Sequence, residues 1–253
     1  MTLKEKILGQ QGSTMLMLLI LIISITLLLY GLFQISRNHQ FQFFGKLIYH
    51  VDTNEKVVAL TFDDGPSHKG TEPIIGILRK HGIKGTFYLN GRSMQQHPEL
   101  AKQLIDAGHE IGNHSYSHKR MVFMPYGEVA EEIESTSKLI HELGYQREIR
   151  FRPPYGKNLF MLPYYLANND ITTVTWDVEA ETFNQGEDTP ELIIKRTMKS
   201  VKPGSIILLH VMYGDGSTLK ALPTIISRLK KRGYRFTTVG ELIELSPKSL
   251  AKG

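Results

Sequence analysis

A rhythm constrains this chain more than any single residue. Between Lys56 and Val239, short apolar segments rich in β-branched residues alternate about seven times with amphipathic ones. The strand-like segments are Lys56–Phe62, Gly85–Leu89, Glu110–Asn113, Ile149–Arg152, Ile171–Trp176, Ser205–Leu209 and Tyr234–Val239. The helix-like ones are Thr71–His81, Pro98–Ala107, Tyr126–Leu143, Asn158–Asn168, Pro190–Lys199 and Leu219–Lys231. Gly82, Gly108, Gly144 and Gly233 stand where four of these helices should stop, and Thr189 before Pro190 marks a start. Ahead of the first strand, Lys46–Val51 and the Asp52–Glu55 turn read as one arm and the bend of a β-hairpin. The alternation predicts an α/β fold with a parallel sheet wrapped by helices, closed as a (β/α) barrel or open and doubly wound. No internal repeat or low-complexity linker divides it, so it reads as one domain.

The N-terminus breaks the rhythm. Met15 to Phe33 carries no charge and is interrupted only by Ser24, Thr26 and Gly31. As a helix it would extend about 28 Å, close to the hydrocarbon thickness of a bilayer. The run is longer than the apolar region of a signal peptide, and no Ala-x-Ala site follows it, so an uncleaved transmembrane anchor is expected. Secretion after cleavage is the alternative. Lys4 and Lys6 before the span, against Arg37 and Lys46 after it, give only a slight positive-inside bias. The expected layout is a cytoplasmic segment at 1–14, a membrane span at 15–33, a tether at 34–44, the domain at 45–246 and a tail at 247–253.

Composition narrows the chemistry. The chain has no cysteine, which excludes disulfides, thiolate nucleophiles and cysteine-ligated metal sites. Its net charge of +5 suits an anionic partner, but the basic residues are dispersed. With no glycine-rich phosphate loop and no basic patch interleaved with aromatics, nucleic acid is not an expected partner. Oligomeric state is not legible.

In parallel α/β proteins, sites are built at the carboxyl ends of strands. The first strand ends in Asp63-Asp64-Gly65-Pro66, which alone reads as a turn. Two adjacent carboxylates repel unless a proton or cation separates them, which suggests one on a metal and the other acting as a base. The third strand leads into His114 and His118, spaced so that both can face one ion; with a carboxylate they leave coordination positions open, as catalytic sites do. The fourth is followed by Arg152-Pro153-Pro154-Tyr155, the fifth by Asp177, Glu179 and Glu181, and the sixth by His210.

Thr61-Phe62-Asp63-Asp64-Gly65, His114-Ser115-x-x-His118, Arg152-Pro153-Pro154-Tyr155 and Leu208-Leu209-His210 resemble four of the five motifs of the polysaccharide deacetylase family, the NodB-homology domains of carbohydrate esterase family 4. They occur in that family's order over residues 56–245. The resemblance implies a distorted (β/α)7 barrel preceded here by a single N-terminal transmembrane helix. It implies that Asp64, His114 and His118 bind a divalent metal, zinc first, with cobalt, manganese or nickel as alternatives. Asp63 would be the general base, oriented by Arg152. The Tyr155 N–H would hold the oxyanion, Leu208 and Pro154 would line the substrate pocket with Tyr155, and His210 would protonate the leaving amine. The fifth motif departs from the family's Asp-x-x-Asp-Trp: its second Asp falls on Thr182 and its Trp on Phe183. Asp177, Glu179 or Glu181 is expected to stand in as the support of His210.

The implied function is metal-dependent removal of N-acetyl groups from amino sugars of an extracellular glycan, foremost N-acetylglucosamine in peptidoglycan, with chitin-like glycans as related substrates. The expected location is the cell membrane, with the catalytic domain outside. Two alternatives stay open: a glycan-binding protein with a degenerate site, and an O-acetyl esterase acting on acetylxylan or a related polymer.

Overall fold

The computed structural model describes residues 3–182 and 188–246, with side chains from 15 onward. It opens with α1 (Leu3–Ser36), followed by β1 (Leu47–Ile48) and β2 (Val57–Asp63). Then come α2 (Thr71–Lys80), β3 (Thr86–Leu89), α3 (Gly91–Gln96), α4 (Pro98–Asp106), β4 (Glu110–Asn113) and α5 (Tyr126–Glu142). The second half adds α6 (Met161–Asn168), β5 (Thr173–Val174), β6 (Val178–Glu179), α7 (Pro190–Ser200), β7 (Ile206–His210), α8 (Ser217–Lys231), β8 (Arg235–Thr237) and α9 (Val239–Glu244). In α1, Met15–Ser36 is long and apolar enough to cross a membrane, and its apolar window is not buried by the domain.

All ladder pairings between these strands are parallel. The main sheet runs β4-β3-β2-β7-β6, with β8 also on β2. The circuit closes irregularly. Phe151 bridges Asn113 of β4 to Thr173 of β5, and the chain leaving β5 pairs with β7 through Val178 and Ile207. The fold is therefore an α/β barrel with a broken wall.

The period of two along a strand decides what enters the lumen. In β2, Val58, Leu60 and Phe62 pack outward under the helices with Phe87, Leu104 and Ile225. Val57 and Ala59 face inward with Ile206, Leu208, Tyr88 and Trp176. By the same parity Thr61 and Asp63 continue the inner row of β2, and His210 that of β7. The register sets Asp63 beside His210 on one flank and beside Tyr88 on the other. β2 is buried along its whole length, which fits the apolar run Val57–Leu60 that opens it.

Several expectations change. The hairpin does not form: β1 pairs in parallel with β5, through Leu47–Thr173 and Ile48–Val174. The turn after it is instead tied to the β7 side, where Val51 N–H donates to Gly204 O at 3.0 Å. A turn signal shows that the chain reverses, not which strand it joins. The strand expected at Ile149–Arg152 shrinks to the Phe151 bridge. α3 and α9 were not expected. In α9 a capping box does the work: the Thr238 side chain accepts from Glu241 N–H while Glu241 reaches back to the cap N–H. Thr189 caps α7 as the sequence implies, accepting from Leu192 N–H.

Candidate active site at the strand ends

The end of β2 turns sharply. Asp64 has φ 69°, followed by Gly65 at φ 81°. Ser115, His118 and Tyr155 also hold positive φ, at 63°, 58° and 60°. Left-handed backbone is uncommon for such residues. Four of the five non-glycine examples among the described residues gather around this one pocket, as strain does at functional sites.

Asp63 is buried and clamped. Arg152, fully buried, donates from Nη1 to Asp63 Oδ1 at 2.6 Å and to Thr61 Oγ1 at 2.8 Å. Its other nitrogens are spent on the carbonyls of Val174 and Thr175, and its guanidinium lies 4.1 Å from the Tyr88 ring centroid. A buried guanidinium needs this full set of partners. Burial, the largest influence on Asp63, would raise its pKa; Arg152, then His114 and His210, outweigh it and hold the carboxyl below its ordinary range.

On the other side of the turn, Asp64 Oδ1 lies 3.3 Å from His118 Nε2 and 3.9 Å from His114 Nε2. The ligand atoms of these three residues all fall within 4.8 Å of one another. His114 Nδ1 is hydrogen-bonded to Arg152 O at 2.8 Å, so the proton sits there and Nε2 presents its lone pair toward Asp64. Burial, reinforced by His114, lowers the His118 pKa and favours the neutral, ligating imidazole. The Ser115 hydroxyl accepts from His118 N–H at 3.0 Å, which shapes the loop. Two imidazoles and one carboxylate, converging and pre-oriented, fit a divalent ion of zinc type with open positions. A second group, His68, His97 and Glu99, could also hold an ion, but two of the three are exposed and none lines the cavity that Asp63 and His210 share.

Opposite Asp63, Glu181 is the carboxylate that meets His210. Its Oε2 is 2.6 Å from His210 Nδ1, and both its oxygens accept from His210 N–H, at 3.0 and 3.1 Å. Glu181 is itself buried and held by the Thr218 hydroxyl. Burial, the largest influence, would lower the His210 pKa; the Glu181 hydrogen bond and charge, with Asp63 and Asp64 beyond, raise it to about 9. The other two candidates are occupied elsewhere. Asp177 bonds His50, Ser205 and the Ile206 N–H. Glu179 accepts from Trp176 Nε1. Thr182 donates from N–H and Oγ1 to Asp188. Phe183 lies outside the described residues.

These groups share a cavity of about 470 Å³ lined by Asp63, Asp64, His114, His118, Tyr155, Trp176, Glu179, Leu208 and His210. Leu208 supplies apolar wall, and the Tyr155 ring stands 4.7 Å from that of His118. Pro154 is buried beneath the turn. In that turn Gly156 and Lys157 donate to Pro153 O and Pro154 O, so Tyr155 is the residue whose N–H the turn does not use. Sequence reasoning did not foresee Trp176 in the wall or Tyr88 beneath Arg152. Trp176 did carry a signal, as the only tryptophan of the chain at the end of a predicted strand.

Fold and site together define an α/β barrel protein with a metal-capable centre and a carboxylate–imidazole pair, Asp63 and His210, at the carboxyl ends of its strands. The chain belongs to the polysaccharide deacetylase family, whose profile matches residues 50–174. It is 34% identical over 200 residues to a peptidoglycan-N-acetylglucosamine deacetylase of Bacillus cereus, covering 79% of this chain and 93% of that one. It is 32% identical to the peptidoglycan-N-acetylmuramic acid deacetylase PdaC of Bacillus subtilis, covering 80% of this chain but only 42% of that longer protein. Among solved structures, BA3943 of Bacillus anthracis, a pseudoenzyme of carbohydrate esterase family 4, superposes with TM-score 0.73 at 30% identity, covering 81% of this chain and 71% of that one. A BA3943 mutant with restored enzymatic activity matches equally well.

Proposed function

We propose that this chain is a membrane-anchored, metal-dependent deacetylase that removes N-acetyl groups from amino sugars of an extracellular glycan, foremost N-acetylglucosamine of peptidoglycan. The observation that carries it is a single pocket in which Asp64, His114 and His118 converge between a clamped Asp63 and a Glu181-supported His210. The relatives that act on peptidoglycan point to the polymer, and the apolar span at 15–33 points to the membrane.

Asp64, His114 and His118 would hold the ion, zinc by donor set with cobalt, manganese or nickel able to replace it. When bound, such an ion polarises the acyl carbonyl and makes nearby water a better nucleophile at neutral pH. Asp63 receives the proton of the attacking water on its Oδ2, since Oδ1 is committed to Arg152. Arg152 keeps that carboxylate ionised and fixed. The Tyr155 N–H donates to the oxygen on which negative charge collects, a contact worth a few kcal/mol in other acyl-transfer sites. The acetyl methyl sits against Leu208. His210, charged at neutral pH and fixed through Nδ1, gives its Nε2 proton to the departing nitrogen as the C–N bond breaks. The products are acetate and a free amino sugar.

The departure at Thr182 and the likeness to a pseudoenzyme motivate a second reading, a glycan-binding protein without turnover. The Glu181–His210 contact speaks against it. The test is acetate release by the full-length chain in detergent from peptidoglycan, chitooligosaccharides and acetylxylan, with and without chelator. Acetate from the first two, lost with chelator and restored by zinc, is expected. Acetate from acetylxylan alone would make the protein an O-acetyl esterase, and none from any substrate would leave binding only.

A further inference from the structure

The end of α1 does not hang free of the domain. Ser36 is buried, and it and Phe33 line a groove of about 460 Å³ together with Lys119, Arg120, Phe123 and Lys157. The segment that follows stays on the surface. His39 stacks on Trp176 at 4.8 Å, the Thr175 hydroxyl donates to His39 O, and Asn158 Nδ2 donates to Phe41 O. From Met15 to Tyr30, by contrast, every large apolar side chain is exposed, so the helix leads away from the domain. A helix leaving in that direction and crossing a bilayer presents this face of the domain to the membrane.

The face has the composition of a membrane interface. Phe123 is 84% exposed. The segment that follows Ser36 carries a series of ring contacts, Phe41–Phe43, Phe43–Phe160, Phe43–Phe44, Phe44–Tyr164 and Tyr164–Tyr126, and each of these rings is partly exposed. Aromatic residues of this kind collect at headgroup level, and a contiguous exposed patch marks a surface that something covers. Lys119, Arg120 and Lys157 line the groove with Phe123, and the Arg37 guanidinium lies 5.4 Å from the Phe33 ring centroid. The Lys157 ammonium is held below its ordinary range by burial first, then by Arg120 and Arg37, which shows how closely the charges gather. Glu128 is the one carboxylate lining the groove among the described residues.

We propose that this face docks the catalytic domain flat on the outer leaflet of the bilayer, with Arg37, Lys119, Arg120 and Lys157 on anionic lipid phosphates and Phe123 and the neighbouring rings among the headgroups. This rests on the anchored reading above. The occupant follows from continuity: the apolar span ends inside the groove, so the lipid surface is the partner the chain itself delivers there. The consequence is positional. Arg120 lies 5.1 Å from the Tyr155 ring centroid and Tyr155 adjoins His118, so the pocket mouth opens beside the headgroups. The substrate is then the glycan layer nearest the membrane.

The chain has no cysteine, so single-cysteine labelling is clean. Full-length Phe123→Cys and, at the opposite end of the barrel, Lys231→Cys, each carrying an environment-sensitive fluorophore, are inserted into vesicles of phosphatidylglycerol and phosphatidylcholine doped with headgroup-quencher lipid. Quenching at 123 is expected to be several-fold stronger than at 231, and to fall toward the level at 231 in pure phosphatidylcholine or with Lys119→Glu and Lys157→Glu. Equal, weak quenching at both positions in anionic vesicles would overturn the docking while leaving the deacetylase reading intact. Release of the protein from vesicles by alkaline carbonate would overturn the anchor and the docking together. Acetate release measured on the same preparations reports the proposed activity separately.

Discussion

Asp63 and His210 stand side by side across the β2–β7 register, and their surroundings drive their protonation in opposite directions. Arg152 keeps Asp63 ionised well into acid, while Glu181 keeps His210 protonated up to about 9. The proposed base and acid thus coexist in the forms the proposed reaction needs at neutral pH, the pattern expected of an acid–base pair. Activity should therefore decline on the alkaline side as pH rises through about 9. In Glu181→Gln the raising influence is lost, so the alkaline limb of the pH–rate profile should move toward the ordinary histidine value of about 6.5. The rate at pH 8 should then fall by about 10-fold or more. Glu179→Gln and Asp177→Asn should move the limb far less; an unmoved limb in Glu181→Gln would remove Glu181 from the role. The pair at 63 and 64 separates by a different measurement. Asp63→Asn should keep its metal stoichiometry and lose about 10²–10⁴-fold in turnover, whereas Asp64→Ala should lose the metal itself. Much of this was legible. The short spacing of His114 and His118 and the adjacency of Asp63 and Asp64 point at one site. The choice of Glu181 over Glu179 was not, because both lie at the same strand parity. What separates them is Thr218, from α8, and Trp176, which engage one carboxylate each.

At the scale of elements, the strand–helix rhythm is readable wherever a segment carries its own signal. α2, α5, α7 and α8 have an apolar stripe and a capping or stop residue, and they form where the pattern puts them. β1 carries no such signal, since two residues can pair with any edge. Its partner is fixed by bonds at and just before it, where Thr173 N–H donates to Lys46 O and Thr175 N–H to Ile48 O. The capping box of α9 was hidden in a β-branched run that reads as strand. One element contact reaches the chemistry. In β4, Gly112 pairs with Tyr88 of β3, and a Cβ placed there would meet the Tyr88 ring at 2.4 Å and Arg150 O at 3.1 Å. Tyr88 is fully buried and lies under Arg152. Gly112→Ala should cost about 1–3 kcal/mol by overpacking and push the ring against the guanidinium that clamps Asp63. The expected result is a lower melting temperature together with reduced kcat, while metal stoichiometry and KM stay near those of the parent. A variant with lost stability and undiminished kcat would show that the sheet does not position Arg152 through Tyr88.

For the molecule as a whole, the proposed ion would make the site a stability element as well. Asp63, Asp64, His114 and His118 bring two carboxylates and two imidazoles together at the ends of different strands, and a cation among the ligands ties β2 to the loop after β4. Ligand binding to the folded state alone stabilises it by mass action, about 2.7 kcal/mol when free metal exceeds its dissociation constant 100-fold. For a domain of this size that corresponds to roughly 5–10 °C in melting temperature. The single tryptophan, Trp176, is 5% exposed and lines the same pocket, so its emission reports unfolding of the barrel around the site. Chelator should lower the transition and zinc should restore it. Asp63→Asn should retain the zinc-dependent shift, because the proposed base is not among the three converging ligand atoms. Asp64→Ala should lose most of it, and His68→Ala should leave it unchanged, because the exposed His68–His97–Glu99 group ties no strand ends together. A shift that survives Asp64→Ala but vanishes in His68→Ala would move the stabilising ion out of the barrel mouth, and the assignment of Asp64, His114 and His118 would fall with it.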